Sequence, residues 1–489
     1  MNPYTEELVG LAYEAYAIGN HAGAEALLRL AVGHGGRDAH ALYFIGHLCY
    51  LGGRLNEAET YLSTAIAIDP NHANARNDLG ETLRALGRHE EAVHHLERAV
   101  ALDPRLAHAY GNLAAALVSV NRPEDALRWA QESLWRATDK AVAHCDLGSI
   151  LGRLGRPKEA IHQYRLALAL KPGDPRVRYF DSLTRLSLGE WPEAWAGHEC
   201  RLQLPLGVAG RRHFPQPWWR GESGIQGRSI LLHAEQGLGD TLQFVRYAPL
   251  VAQFGATVLL EVQFGLRSVL DRLPGVSAVF EQGEKLPSFD LQCSLMSLPH
   301  VFGTRLDTVP AAIPYLSARP DRVAAWTRVL DPWQRMRVGL AWSGSASHAS
   351  DRSRSIPLAG LAPLVERTDL EWHVIQRDVR PADRTILDDW DLITDNSGSL
   401  TDFTETAALI SLMDLVITVD TAVAHLAGAL GKPVWLLLAH SADWRWLQGR
   451  ADTPWYPTMR LFRQPRQGDW AAVLTEIGRQ LDLWSVRHG

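Results

Sequence analysis

The chain has 489 residues, 46% of them hydrophobic and 21% charged, a soluble globular balance long enough for two to four domains. Its formal net charge of −6 argues against a nucleic-acid binder, which would carry a basic footprint. No run approaches the ~18–20 apolar residues of a membrane span, and the four cysteines (Cys49, Cys145, Cys200, Cys293) form no C-x-x-C pair, so neither a zinc site nor a disulfide framework is expected.

The first twenty residues, MNPYTEELVGLAYEAYAIGN, show no basic segment ahead of an apolar core. No signal peptide is expected, and the cytosol is the expected compartment, with the thiols reduced and buried.

A 34-residue period follows. Ala24, Ala58, Ala92, Ala126, Ala160 and Ala194 keep one register, and Gly19, Gly53, Gly87, Gly155 and Gly189 keep a second, with Asn121 in the open slot. Gly46, Gly80 and Gly148 form a third, and Pro70, Pro104 and Pro172 a fourth. Period and offsets resemble tetratricopeptide repeats over about residues 5–201. Each unit reads as two helices. Gly or Asn sits in the turn where positive φ is needed, Ala lies where the helices pack, and Pro follows where the second helix must stop. Such arrays stack into a solenoid with a concave face. Asp78, Asn112 and Asp146 recur at one inward-facing position, where they either hydrogen-bond the backbone of an extended peptide or simply solvate the groove.

Residues 202–228, LQLPLGVAGRRHFPQPWWRGESGIQGR, lose all period and read as a linker. Arg211, Arg212 and Arg220 fit a solvated connector better than an anion site. Trp218 and Trp219 are expected to anchor it to a neighbouring domain.

Beyond Gly227, apolar runs alternate with helical stretches: 229–235, 256–263, 276–282, 337–344, 371–377, 414–420 and 433–439. Continuous apolar strands separated by helices predict parallel sheets covered on both faces. The break near 319–336 predicts two doubly wound, Rossmann-like domains, 229–320 and 336–470, with a final helix over 471–489. Ligands of such sheets sit beyond the carboxyl ends of the strands, which directs attention to three loops.

In HAEQGLGD, Gly237 and Gly239 are expected to let the backbone turn sharply near a ligand, and Asp240 opens a helix. Asp240 reads either as a helix cap or as a general base facing the cleft, kept ionised by the helix amino terminus. In DLVITVDTAVAHLAGALGKPVW, the helix begins at Asp420 or Thr421. The free N–H groups of Thr421, Ala422 and Val423 offer a diphosphate site. Asp420 reads as a cap, since two anions repel, and His425 as either a phosphate donor or a packing residue. In GLAWSGSASHASDRSRS, Ser343, Gly344 and Ser345 form a candidate phosphate cradle, with His348, Arg352 and Arg354 as positive charge.

GLGD together with MDLVITVDTAVAHLAGALGKPVW resembles the bacterial heptosyltransferases of glycosyltransferase family 9, over roughly residues 229–480. The D-T-x-x-x-H segment followed by A-x-x-x-x-K-P is the most specific part of the likeness. The resemblance implies a GT-B fold of two Rossmann-like domains and inverting, metal-independent transfer from a nucleotide sugar. It implies Asp240 as catalytic base, and Asp420, Thr421, Ala422 and His425 as holders of the donor's diphosphate and sugar. Two segments depart from the family. The loop at Ser343–Ser345 differs, and AHSADWRWLQGRADTPWYP carries Asp443, Trp444 and Arg445 where the family has a glycine-proline turn, so ADP-heptose is not predicted. Repeat–glycosyltransferase fusions implicated in flagellin glycosylation are the nearer likeness. The expected partners are a protein acceptor in the repeat groove and a nucleotide sugar as co-substrate, with no cofactor. Three other readings stand beside this one: a sugar-nucleotide epimerase, a transferase acting on lipid or polysaccharide, and a scaffold with a degenerate transferase half.

Overall fold

The computed structural model describes residues 3–34, 38–204, 212, 214–330, 335–346 and 351–488. Two compact units divide the chain, residues 1–177 and 178–489. Arg211 and His348 lie outside the described residues.

The first unit is a solenoid of helix pairs: Pro3–Ala17 with His21–Gly33, Ala39–Leu51 with Leu55–Ile68, Ala73–Ala85 with His89–Leu102, Ala107–Ser119 with Pro123–Arg136, and Lys140–Arg153 with Pro157–Leu170. The periodic residues explain the geometry. Gly19, Gly53, Gly87 and Gly155 turn at φ between +73° and +80°, and Asn121 takes φ +60° in their place. That left-handed conformation is open to glycine and tolerated by asparagine. Ala24, Ala58, Ala92, Ala126 and Ala160 are fully buried. Gly46, Gly80 and Gly148 set the spacing inside the pairs. A Cβ on each would fall 2.7 Å from Leu62, 2.5 Å from Leu96 and 2.6 Å from Tyr164, distances no real Cβ tolerates.

Asp78, Asn112 and Asp146 are half-buried on successive first helices, and each is engaged within the array. His47 Nδ1 donates to Asp78 at 2.8 Å. Asn112 Nδ2 donates to Asn77 Oδ1 at 3.0 Å, and Asp146 pairs with Arg176.

The sixth helix pair, Pro175–Leu188 and Trp191–His198, falls almost wholly in the second unit. Its turn residue Gly189 keeps φ +83°, but its tryptophans pack into the α/β core. Trp195 Nε1 donates to Thr304 O at 2.8 Å, and Trp191 meets Trp455 at 5.1 Å between ring centroids. Arg201 and Glu235, both buried, pair at 2.6 Å.

Strands β1 (Ser229–His233), β2 (Thr257–Val262), β3 (Val276–Glu281) and β4 (Leu291–Ser294) form a parallel sheet in the order β3-β2-β1-β4. Strands β5 (Met336–Ala341), β6 (Leu370–Val374), β7 (Ile393–Thr394), β8 (Leu415–Val419), β9 (Val434–Leu438) and β10 (Met459–Arg463) form a second, in the order β10-β9-β8-β5-β6-β7. Every apolar run read from the sequence is a strand. β4, β7 and β10 are additional. Both sheets are doubly wound, and chain order reverses between β1 and β4 in one and between β5 and β8 in the other. A final helix, Trp470–His488, follows β10. No helix among the described residues is long and apolar enough to cross a membrane.

The segment before β1 is not the solvated connector expected from its composition. Trp219 N–H donates to Gln292 O at 2.8 Å, and Gln292 N–H to Pro217 O at 3.0 Å, so the chain here runs along β4. Trp219 is buried as anticipated. Arg212 pairs at 2.7 Å with Glu261, a fully buried carboxylate on β2, which removes it from the solvated set; Arg220 is exposed. All four cysteines are free and buried.

Candidate functional site

The loops after β1, β5 and β8 stand at the two reversal points, where doubly wound sheets hold their ligands. The helix after β1, Leu238–Phe244, and the helix after β8, Ala422–Ala429, meet directly. Gly239 makes the meeting possible, because a Cβ there would lie 2.8 Å from His425 Cδ2. Neither Gly237 nor Gly239 takes a positive φ, so the sharp turn expected of them is not their role. Gly239 is needed for helix contact. At Gly237, a Cβ would crowd Asp240 Oδ2 at 3.1 Å.

Asp240 is the third residue of its helix and Gly237 is the cap. The Asp240 carboxylate reaches back and accepts the Gly237 N–H at 2.7 Å. Its other oxygen pairs with Arg445 Nη2. Burial, helped by the charges of Asp443 and Glu235, raises the Asp240 carboxyl above its ordinary value, against the pull of Arg445 and the Gly237 N–H. The helix amino terminus is therefore not what governs its protonation.

Arg445 follows β9 and was marked in the sequence only as a departure from the family. Here it is central. Its Nη1 pairs with Asp443 at 2.7 Å, its Nε donates to Gln243 Oε1 at 2.8 Å, and its guanidinium stands 4.4 Å from the Trp444 ring. Burial opposes its charge, but the carboxylates Asp240 and Asp443 outweigh burial and hold it charged.

At the second helix Thr421, not Asp420, is the cap, and its hydroxyl makes no bond to the helix. The Thr421 Oγ1 is buried and has no hydrogen-bond partner among the described residues. The Asp420 carboxyl is thus not a cap. Burial pushes it up to about 6, reinforced by Asp443 and opposed by Trp446, Arg354 and Arg445. Gly431, at φ +74°, and the Lys432 N–H bond to Ala427 O close the helix after Ala429.

His425 is a packing residue. Its Nδ1 lies 2.9 Å from the Tyr456 hydroxyl and its ring stacks on Trp446 at 5.2 Å. Burial, with Arg445 and Arg246 nearby, drives its pKa well below the ordinary value and keeps it neutral. The ring edge faces Gly239.

The serine loop is also committed elsewhere. The N–H groups of Trp342 and Ser343 both donate to Gln376 Oε1, at 2.8 and 3.2 Å, and Gly344 N–H donates to Ser355 Oγ at 3.2 Å. Two of the three amides expected to cradle phosphate are occupied, and Ser345 keeps interactions of its own. Gly344 serves Arg354 instead, since a Cβ would meet Arg354 Nη2 at 2.6 Å. Arg354 donates from Nη1 to Asp420 O at 2.9 Å. Its Nε is buried with no hydrogen-bond partner among the described residues. Arg352 is exposed.

The site thus gathers Asp240, Thr421 and Arg354 from the predicted set and adds Arg445, Gln243 and Asp443. Asp443 and Arg445 are marked in the sequence by the unusual run Asp-Trp-Arg-Trp at 443–446 after β9, and Gln243, inside the Leu238–Phe244 helix, has no mark of its own.

Comparison with known proteins agrees with the two-part organisation. Tetratricopeptide repeat models match residues 37–105, 73–139 and 141–174. The model of glycosyltransferase family 9 (heptosyltransferase) matches residues 398–463, which include β8, the Ala422–Ala429 helix and β9. Protein FlbA of Caulobacter vibrioides is 25% identical over 339 residues, covering 63% of this chain. The match spans 56% of that relative's length. Among solved structures, a thermophilic TPR protein of Thermus thermophilus is 23% identical, with a TM-score of 0.34, over 37% of this chain and 99% of its own. Pseudomonas aeruginosa PilF is 19% identical, with a TM-score of 0.33, over 41% and 90%. The chain therefore joins tetratricopeptide repeats in its amino-terminal region to a carboxy-terminal region that carries a match to glycosyltransferase family 9.

Proposed function

We propose that this chain is a GT-B glycosyltransferase that moves a sugar from a nucleotide-sugar donor to a hydroxyl of a protein acceptor held by the repeats, with inversion. The observation that carries the reading is the meeting of two loops. Asp240, beyond the first sheet, and the Thr421–Ala422 helix end, beyond the second, are brought together by the Gly239–His425 contact. An acceptor hydroxyl oxygen attacks the anomeric carbon and gives its proton to Asp240. The bond from that carbon to the diphosphate oxygen breaks, and the nucleoside diphosphate leaves. In this reading, amides at the start of the Ala422–Ala429 helix, Arg354 and the Thr421 hydroxyl, which has no hydrogen-bond partner among the described residues, stabilise the developing charge, and fixed donors of this kind are usually the largest catalytic contribution. Asp420, held up to about 6, sheds its charge readily beside a diphosphate.

The acceptor is a serine or threonine hydroxyl on a protein of the flagellin type or another partner of the repeat groove. In this reading Asp78, Asn112 and Asp146, on successive first helices, contact its backbone after exchange with their present partners.

The test is intact-mass analysis of proteins captured by residues 1–177 from cells carrying the wild-type chain or Asp240→Ala. A sugar-sized increment on a captured partner only in wild-type cells is the expected result. Identical unmodified partners in both strains would sink the protein-acceptor reading.

A further inference from the structure

Arg445 is an unusual neighbour for a catalytic base. The guanidinium is fixed from three sides: Asp443 holds Nη1, Gln243 holds Nε, and the Trp444 ring lies against its plane. The remaining end, Nη2, is directed at Asp240. The other Asp240 oxygen accepts the Gly237 N–H. The base therefore has both oxygens engaged, and an acceptor hydroxyl must compete with a cation for one of them. Arginine pairs with phosphate as readily as with carboxylate, through the same planar donors. The phosphate-facing groups Thr421 and Arg354 adjoin Asp420, and Asp420 interacts with both Arg354 and Arg445. Asp240 and Asp443 both pair with Arg445, so a diphosphate that recruits this guanidinium competes with carboxylates for it.

We propose that Arg445 is an exchange cation, whose Nη2 holds Asp240 in the donor-free protein and is taken over by the donor's diphosphate, releasing Asp240 for the acceptor hydroxyl. The inference rests on the glycosyltransferase reading above and adds an order to it. Arg445 stays anchored by Asp443, Gln243 and Trp444 throughout, and only one of its hydrogen-bonding partners changes. The acceptor finds a free carboxylate oxygen only after the donor is seated, so binding runs donor first. No covalent change occurs in the exchange.

The experiment is calorimetric titration of the full chain with inorganic pyrophosphate and with ADP, GDP, UDP and CDP. It compares wild type, Asp240→Asn, Arg445→Gln and the double variant. Removing the competing carboxylate is expected to tighten diphosphate binding about fivefold or more, and Arg445→Gln to weaken it about tenfold or more. The double variant is expected to bind like Arg445→Gln alone. Should Arg445→Gln fail to fold, Arg445→Lys replaces it in both positions of the cycle. The tightening in Asp240→Asn is a gain that no misfolded protein produces. Unchanged affinity in Asp240→Asn overturns the exchange and leaves the glycosyltransferase reading standing. Equal tightening with and without Arg445 overturns it too, because the effect is then long-range repulsion. If wild type binds none of the five probes, the underlying reading falls and the exchange falls with it.

Discussion

Gly239 and His425 follow strands of different sheets, yet the Cα of Gly239 sits so close to the histidine ring that a methyl group there would lie 2.8 Å from Cδ2. His425 has no room to yield, being held by Tyr456 on one side and stacked on Trp446. Gly239→Ala is therefore expected to push the two helices apart and to destabilise the second unit by about 1–3 kcal/mol, the usual cost of overpacking. Thermal unfolding of residues 174–489 measures the cost. A stability equal to wild type would mean that the helices have slack at this seam.

Asp420 gives the second unit a pH signature. Its folded carboxyl is held up to about 6 against an ordinary 3.8. A raised carboxyl contributes stability that is fully present below about pH 4 and is lost as pH rises through about 6. Asp420→Asn has no such loss. The variant should match wild type near pH 4 and exceed it by about 1–3 kcal/mol at pH 7, with one pKa unit taken as about 1.4 kcal/mol. Chemical denaturation of both proteins at several pH values reads the difference directly. A gap that stays constant from pH 4 to 7 would show that Asp420 titrates at its ordinary value.

In the first unit, Gly80 is the tightest of the three small residues inside the helix pairs, with its missing Cβ 2.5 Å from Leu96 Cγ. Leu96 is fully buried, so Gly80→Ala is expected to cost about 1–3 kcal/mol despite the better helix propensity of alanine. Denaturant unfolding of residues 1–177 is the measurement, and a neutral or stabilising result would mean that the pair can open without penalty.

The sixth helix pair should behave as part of the α/β unit. Trp191 and Trp195 are fully buried there against Trp455 and Trp444. A chain starting at residue 174 is expected to fold cooperatively. One starting at residue 202 loses both tryptophans and the Arg201–Glu235 pair, and truncating a single buried tryptophan already costs about 3–5 kcal/mol. It should be insoluble or unfold at much lower temperature. Equal stability of the two fragments, by near-ultraviolet circular dichroism on heating, would assign the pair to the repeats alone.

These outcomes follow unevenly from the sequence. The repeats were legible because each periodic residue does one mechanical job, and the structure shows positive φ at Gly53 and a closed helix pair at Gly80. Seven strands were legible as mostly apolar runs separated by helical stretches. β4 reads Leu-Gln-Cys-Ser and β10 reads Met-Arg-Leu-Phe-Arg, mixtures whose burial comes from neighbours and not from composition. At the site, Asp240 and Thr421 stood out as residues following strands. The opposed demands on Ser343 did not, because Gln376, 33 residues later, decides where its amide points. Arg445 was least legible of all. It lies 205 residues from Asp240, and only the packing of one sheet's helix against the other's brings them together.

The stretch from Phe214 to Trp219 has one more consequence. A parallel sheet ending at β4 would present an open row of amides and carbonyls, the kind of edge on which foreign strands assemble into aggregates. Gln292 closes that row with its backbone to Pro217 and Trp219, while its side-chain amide donates to Phe214 O and Gln216 O at 2.9 and 2.7 Å. Prolines at 215 and 217 cannot offer an N–H of their own to an incoming strand. A segment whose composition marks a boundary between domains thus also serves as a selvage, keeping the sheet from being extended by another molecule.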